Sequence, residues 1–379
     1  MESGQARTEG RPRRWYAVAV TLLALWSAAP LAVTLLQISV WPDEAGTEDI
    51  PVPERPRTLS GWLRLPGKFK WYFQEQFGLK ASYAAAQGWL SLRWLGKSPS
   101  PTALLGKDGW LFLASERTLD YQRHSDPFGE AALDEWTRVL CERDRWLTER
   151  KTEFVFFVAP NKHTVYSEHL PDDLAANASR TRLDQLLTAL STRCPELATV
   201  DVRHQLREAR EHAQLYFKTD THWNPAAGWV AANEIARQLG KPPLSGDLLR
   251  ATAVRTEGGD LARVSGVQHH LADTEVWAAP PPNNLTDEHG KPVTWKMRDI
   301  RARARLDVRN RDGEGTAVVV RDSYGEALIP WVSLLFRRTV WIWSYEFSAE
   351  DVMREKPDVV IQQLVERKLM TVAADGRPL

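Results

Sequence analysis

Five short apolar runs interleaved with amphipathic segments constrain this chain more than any other feature. Phe154 to Val158, Ala198 to Val202, Ala317 to Val320, Thr339 to Trp343 and Asp358 to Gln362 have strand composition and are too short for helices. Between them lie helical patterns over Leu133 to Arg150, Thr181 to Ser191, Pro225 to Leu239 and Glu326 to Phe336. Strands alternating with helices predict an α/β fold, a mainly parallel sheet with helices on both faces. Residues 245–316, rich in Gly, Pro and Arg, read as an irregular insertion with short strands. Ahead of the alternation, Trp62 to Leu95 carries aromatic and apolar residues at helical spacing, broken at Gly78. Gly106 to Leu113 reads as a turn feeding a short strand.

The amino-terminal part follows different physics. Residues 15–41 form the one long uncharged stretch, about 27 residues against the roughly 20 that a membrane-spanning helix needs. Arg11, Arg13 and Arg14 precede it and Asp43, Glu44, Glu48 and Asp49 follow, so residues 1–14 are expected in the cytoplasm and the remainder outside it. The competing reading is a signal peptide cleaved near Ser27-Ala28-Ala29. Its apolar run continues to Val40, which favours an uncleaved anchor. Residues 42–58, with Pro42, Pro51, Pro53 and Pro56, read as an extended linker to a domain over residues 59–379. Lys plus Arg equals Asp plus Glu at 49 each, so charge supplies no argument for nucleic acid. The 17 tryptophans suit a core, a membrane interface or the flat faces of sugars. Cys141 and Cys194 fit one disulfide in an exported protein or two buried thiols equally well.

Chemistry in an open α/β sheet collects at the carboxyl ends of strands. Ser323 lies just beyond Val318-Val319-Val320, in Arg321-Asp322-Ser323-Tyr324-Gly325, where a nucleophile would be presented with helix-start N–H groups for an oxyanion. The plainer reading is a helix cap by Asp322 or Ser323. Asp220 and His222, two residues apart between strand-like Leu215-Tyr216-Phe217 and a helix capped by Asn224, are placed to hydrogen-bond, which orients the imidazole as a base. Asn161 and Lys162 follow the first strand and, with Arg321 and Tyr324, are candidate substrate or oxyanion groups. His163, His169, His204 and His212 fall at no ligand spacing with His222, so neither a metal nor a cofactor is expected. Arg298, Arg301, Arg303 and Arg305 alternate at strand period, as a solvated strand or a contact for an acidic polymer.

These residues give the chain a resemblance to the SGNH-hydrolase-like family of alginate O-acetyltransferases and related exopolysaccharide acetylation proteins. The segments that carry it are Gly106 to Phe112, Pro160-Asn161-Lys162 through Tyr166 to Leu170-Pro171, Thr219 to Asn224, Gly259-Asp260-Leu261-Ala262, and Arg321 to Gly325, spanning about residues 60–370. Asp-x-His-Trp is the most specific, and it precedes the serine, the reverse of ordinary SGNH hydrolases. The resemblance implies a Ser323–His222–Asp220 triad that moves acetyl groups onto polysaccharide hydroxyls in the periplasm, from a single-pass protein of a bacterial inner membrane. It also implies a multi-spanning membrane acyltransferase as the acetyl donor. The chain departs from the pattern at Arg321-Asp322, where Gly-Asp is common, and no carbohydrate-binding module is expected after the strand over Asp358 to Gln362. An acetylesterase of the same architecture and a non-catalytic polysaccharide-binding or assembly protein are the alternatives.

Overall fold

Each of the five apolar runs forms a strand of one sheet. The computed structural model describes residues 12–36, 53, 55–56, 58–76, 80–174, 180–246, 252–277, 285–293 and 304–377. They fall into two compact units, Met1–Gln87 and Gly88–Leu379. In the first, helices run over Pro12–Leu36 and Leu59–Gln76, and a third, Lys80–Trp94, begins there. The expected preamble is thus helical on both sides of residues 77–79, which lie outside the described residues. Among the described residues no helix is long and apolar enough to cross a membrane. Much of the expected linker, and Trp41 with it, also lies outside them.

The second unit opens with a hairpin of β1 (Ala103–Leu105) and β2 (Leu111–Leu113). The main sheet starts with β3 (Glu153–Ala159), an inner strand, and β4 (Ala198–Val200), an edge strand. A second hairpin, β5 (Thr252–Glu257) with β6 (Ala272–Trp277), lies in the insertion. Then come β7 (Leu285–Asp287), β8 (Arg305–Asn310), β9 (Thr316–Arg321), β10 (Arg338–Trp343) and β11 (Val359–Val365). The seven-stranded sheet has the order β4-β3-β11-β9-β10-β8-β7. β4 to β10 are parallel in that order, and β8 and β7 are added antiparallel at one edge. The mainly parallel sheet is therefore present, and the insertion supplies its antiparallel edge. Of the alternating arginines only Arg305 is described; it starts β8 and pairs with Glu355 at 2.5 Å.

Alternation along each strand divides the core. Ala317, Val319 and Trp341 face one side with the Pro225–Gln238 helix, whereas Val318, Val320 and Val340 face the other with the Glu130–Thr148 and Arg182–Arg193 helices. Strands buried on both faces need uninterrupted apolar runs, which is why β9 reads Ala-Val-Val-Val. Thr181 caps its helix reciprocally with Asp184, and Cys141 and Cys194 form a disulfide with Cα atoms 5.8 Å apart. The expected helix over Glu326 to Phe336 is instead a succession of short turns, 3-10 over Ser323–Leu328, α over Ile329–Val332 and 3-10 over Ser333–Leu335. Pro330 lacks the N–H that a continuous helix would need, and nearly every side chain of the segment is buried.

Candidate active site

The Asp-His loop does not hang from a strand of the sheet. Leu215-Tyr216-Phe217 contributes only an isolated bridge, Tyr216 to Trp223. What holds residues 217–222 is a set of buried charges around them. Asp273 accepts from the Lys218 N–H at 2.7 Å, the Thr219 N–H at 2.6 Å and the Thr219 hydroxyl at 2.7 Å. From the opposite side the Lys162 ammonium donates to the carbonyls of Asp220 at 2.6 Å, Phe217 at 3.0 Å and Lys218 at 3.4 Å. Lys162 is 2% exposed, with its ammonium 5.2 Å from the Phe112 ring centroid. Burial pushes its pKa down to about 8 despite the carboxylates of Asp220, Asp273 and Asp260.

Within that frame Asp220 and His222 meet as expected. His222 Nδ1 lies 2.7 Å from Asp220 Oδ1, which also accepts the His222 N–H at 2.9 Å. A carboxylate can only accept, so Nδ1 carries the proton and Nε2 is the basic nitrogen. Asp220 Oδ2 accepts the Asp260 N–H at 2.9 Å, and Asp260 Oδ1 accepts the Thr221 N–H at 2.6 Å. Asp260 Oδ2 lies 3.6 Å from His222 Nδ1. Burial raises the Asp220 carboxyl, but its bond to His222, that ring's charge and the two backbone N–H groups outweigh it and leave it well below the usual carboxylate range. Asp260, buried beside the Asp220 charge, is raised instead. Gly259 is obligatory here, because a Cβ at that position would lie 2.3 Å from Asp220 Cβ.

One acidic pair and an imidazole this close could also face a cation, since ligand atoms of Asp220, His222 and Asp260 lie within 4.8 Å of one another. Both oxygens of Asp220 and Oδ1 of Asp260 already accept N–H donors, so the set is built to hold an imidazole ring.

Ser323 begins the 3-10 turn directly after β9, half-buried at the carboxyl end of that strand. The cap of that turn is Asp322, not Ser323. Asp322 Oδ1 accepts the Tyr324 N–H at 2.8 Å and the Gln363 amide at 2.9 Å, and Oδ2 accepts the Val365 N–H at 2.7 Å. The serine hydroxyl is thereby spared from capping. The expected free N–H groups at the helix start are a correction: Tyr324 N–H bonds Asp322 Oδ1, and Gly325 N–H bonds the Asp322 carbonyl at 3.1 Å.

Tyr324 joins the two loops. Its hydroxyl donates to the Thr221 carbonyl at 2.8 Å, its carbonyl accepts the Trp223 indole N–H at 2.8 Å, and its ring centroid lies 5.2 Å from that of His222. The helix after Asn224 seats against the same turn. A Cβ on Gly228 would meet the Ala327 carbonyl oxygen at 2.0 Å, and the Trp331 indole donates to the Pro225 carbonyl at 2.7 Å. Residues on either side of His222 and the residue after Ser323 are thus bonded together across a hundred positions of sequence.

The four candidate substrate groups are buried, and three of them, Asn161, Lys162 and Tyr324, line one small pocket with Thr221 and Arg367. Tyr324 and Asn161 are each 1% exposed. Asn161 N–H donates to Glu366 Oε2 at 2.8 Å, and its side-chain oxygen lies 3.4 Å from Arg367 Nη1. Arg321 pairs with Glu326 at 3.6 Å, both 1% exposed. Lys162 spends its ammonium on the loop's carbonyls. Sequence reasoning offered Asp322 as a cap, which it is, but missed Asp273 and Arg367 altogether and gave Asp260 no role. Its one available signal was Gly-Asp at 259–260, a glycine before an acidic residue that opens a helix.

Residues 103–304, just over half of the chain, match the family described as SGNH hydrolase-like domain, acetyltransferase AlgX. That span contains Asp220, His222 and Asp260 and ends before Ser323. Among curated proteins the chain is similar to the probable alginate O-acetylase AlgJ of Pseudomonas aeruginosa, 26% identical over 204 residues, covering 52% of this chain and 49% of that protein. AlgJ of Azotobacter vinelandii is 23% identical over 224 residues, covering 58% and 55%. The chain spans about half the length of these relatives. Its fold is similar to that of a DHHW family protein from Eubacterium siraeum, with TM-score 0.53 and 15% identity over 73% of this chain and 95% of that one. It is also similar to Bacillus cereus PatB1, with TM-score 0.52 and 15% identity over 70% and 96%. With more than half of its residues matched, and the Asp-x-His loop among them, the chain belongs to the SGNH hydrolase-like domain family of the acetyltransferase AlgX.

Proposed function

We propose that this protein is an O-acyltransferase that moves acetyl groups onto hydroxyls of a secreted or cell-surface polysaccharide through an acyl-serine. The observation that carries the reading is the Asp220–His222 pair, bonded at 2.7 Å on a loop tied through Tyr324 to the turn that presents Ser323. Ser323 Oγ attacks the acyl carbon of the donor while its proton passes to His222 Nε2 and on to the leaving group. Asp220 holds the imidazolium through Nδ1, with Asp260 as a second carboxylate beside the same nitrogen. The next two N–H groups, of Tyr324 and Gly325, serve Asp322, so the oxyanion donor we assign from the turn is the Ser323 N–H itself. A sugar hydroxyl then attacks the acyl-serine, gives its proton to His222, and breaks the acyl–Oγ bond to restore the serine.

The relatives' names point to alginate as the acceptor for those proteins, and we carry the class, a polysaccharide, to this chain. The donor we assign is a multi-spanning membrane acyltransferase, since acetyl thioesters are cytoplasmic. The charge asymmetry about residues 15–41 and the Cys141–Cys194 disulfide both favour an anchored domain facing an oxidising periplasm. The test is product analysis with an acetyl ester donor and an oligosaccharide. Acetylated sugar that disappears with Ser323→Ala supports transfer. Free acetate alone, unaffected by added oligosaccharide, identifies an esterase, and transfer surviving Ser323→Ala refutes the triad.

A further inference from the structure

We infer that Trp343 is a sugar-stacking subsite for the acceptor, set beside Ser323 at the carboxyl edge of the sheet. This deepens the proposed function and rests on its assignment of Ser323. Trp343 ends β10 and pairs across the parallel register with Arg321, the last residue of β9. Ser323 follows Arg321 by two residues. One inter-strand spacing and two chain steps therefore bound the Cα separation of Trp343 and Ser323 at about 12 Å, a span that one or two sugar units bridge.

Beyond Leu95, exposure sets this residue apart from the other tryptophans whose side chains are described. Trp110, Trp136, Trp223, Trp331 and Trp341 are at most 6% exposed, whereas Trp343 is 40% exposed. Trp341, on the same face of the same strand, is covered and donates its indole N–H to Ser333 Oγ at 3.1 Å. Beyond that cover Trp343 is not loose. Arg321 Cζ sits 4.8 Å from its ring centroid, and this buried guanidinium is itself held by Glu326 and by the Asp322 carbonyl at 3.3 Å. The Trp343 backbone is bonded too, its N–H to the Ala304 carbonyl at 2.8 Å. The result is an indole pinned from behind with surface left to solvent, next to the strand that delivers the nucleophile.

Such a platform has a matching ligand. The C–H faces of a pyranose are apolar and carry slight positive charge, which suits the electron-rich face of an indole. A protein or lipid partner would need a contiguous apolar patch. Beyond Leu95 the large exposed hydrophobics among the described residues are just Val264, Trp343 and Met353. A lone ring of this kind fits one sugar unit, and the polymer would run past it toward Ser323.

Binding can be measured without turnover. Calorimetric titration of two hexasaccharides, an oligomannuronate and a cello-oligosaccharide, is made on the 379-residue chain carrying Ser323→Ala. The same titration follows with Trp343→Ala, Trp343→Phe or Trp94→Ala added. Trp94, 76% exposed, is the control for a tryptophan outside the site. The expected result is binding of at least one probe, weakened about ten-fold by Trp343→Ala, less by Trp343→Phe and not by Trp94→Ala. Two results overturn the inference: neither probe binds the Ser323→Ala parent, or Trp343→Ala binds as tightly as that parent. Failure of the proposed function reads out separately, as absent Ser323-dependent transfer by the wild-type chain.

Discussion

Lys162→Met removes the ammonium bonded to the Asp220–His222 loop while keeping a side chain of similar length in a buried slot. Bringing the ordinary pKa of 10.5 to about 8 corresponds to roughly 3 kcal/mol by which the fold disfavours the charge, and methionine relieves that cost. Against it stand the bonds to the Asp220 and Phe217 carbonyls at 2.6 and 3.0 Å, worth about 1.5–3 kcal/mol each with a charged donor. The two contributions nearly offset, so global stability should fall by only about 0–3 kcal/mol. Catalysis should suffer far more. The carbonyl of Asp220 loses its strongest partner, and a displacement of about 1 Å in catalytic geometry costs on the order of a hundred-fold in rate. Acetyl transfer, thermal unfolding and amide exchange across residues 217–222 measure the three effects. The pH dependence has a definite sign. The unfolded state keeps the Lys162 proton up to about 10.5 and the folded state releases it near 8, so wild-type stability gains on the variant as pH rises between those values. Transfer within about two-fold of wild type, with unchanged exchange in the loop, would refute this role for Lys162.

Gly259→Ala should lower transfer at least as much as it lowers stability, because its Cβ would displace Asp220, and crystallography or exchange at Asp220–His222 reports the displacement. Asp260→Asn should retain the Thr221 N–H bond through its amide oxygen but remove a charge beside His222, giving about a ten-fold loss in kcat and a lower pH for half-maximal activity, read from the pH–rate profile. Asp322→Ala should unfold or silence the protein, since three bonds to that carboxylate lock the serine turn to β11; urea titration separates the two. Reducing Cys141–Cys194, which closes a 53-residue separation, should cost about 2–4 kcal/mol by denaturant unfolding while leaving transfer by the folded fraction intact.

The sheet was legible because its strands obey a local rule. A strand buried on both faces needs a nearly unbroken apolar run, and β3 and β9 announce themselves for that reason; β11 keeps the pattern at Val359 to Ile361 and then buries Gln362 and Gln363, whose amides bond Arg143 and Asp322. Asn224 was legible as a cap for the same local cause, and its side chain accepts from Ala226 and Ala227. The Asp220–His222 bond needed only a two-residue spacing. Other features depend on distant partners. Lys162 turns toward a loop 55 to 58 residues away, and Asp273 reaches back to Thr219 across 54. No periodicity encodes such bonds, so neither the lysine's hold on that loop nor the aspartate's could be read ahead of the structure. The segment after Ser323 misled in a further way. Its apolar content suits a helix, but burial nearly all round and Pro330 break it into turns, and Asp322 takes the N–H groups that a helix start would have left open.

The central claim is that Ser323 carries the acyl group and His222 activates it. The direct measurement is peptide mapping by mass spectrometry after brief incubation with an activated acetyl ester and acid quenching. The account predicts a single acetyl group on the peptide containing Ser323, absent in Ser323→Ala and slowed by about a thousand-fold or more in His222→Ala. An acetyl group on another residue, or the same labelling in Ser323→Ala, would contradict it.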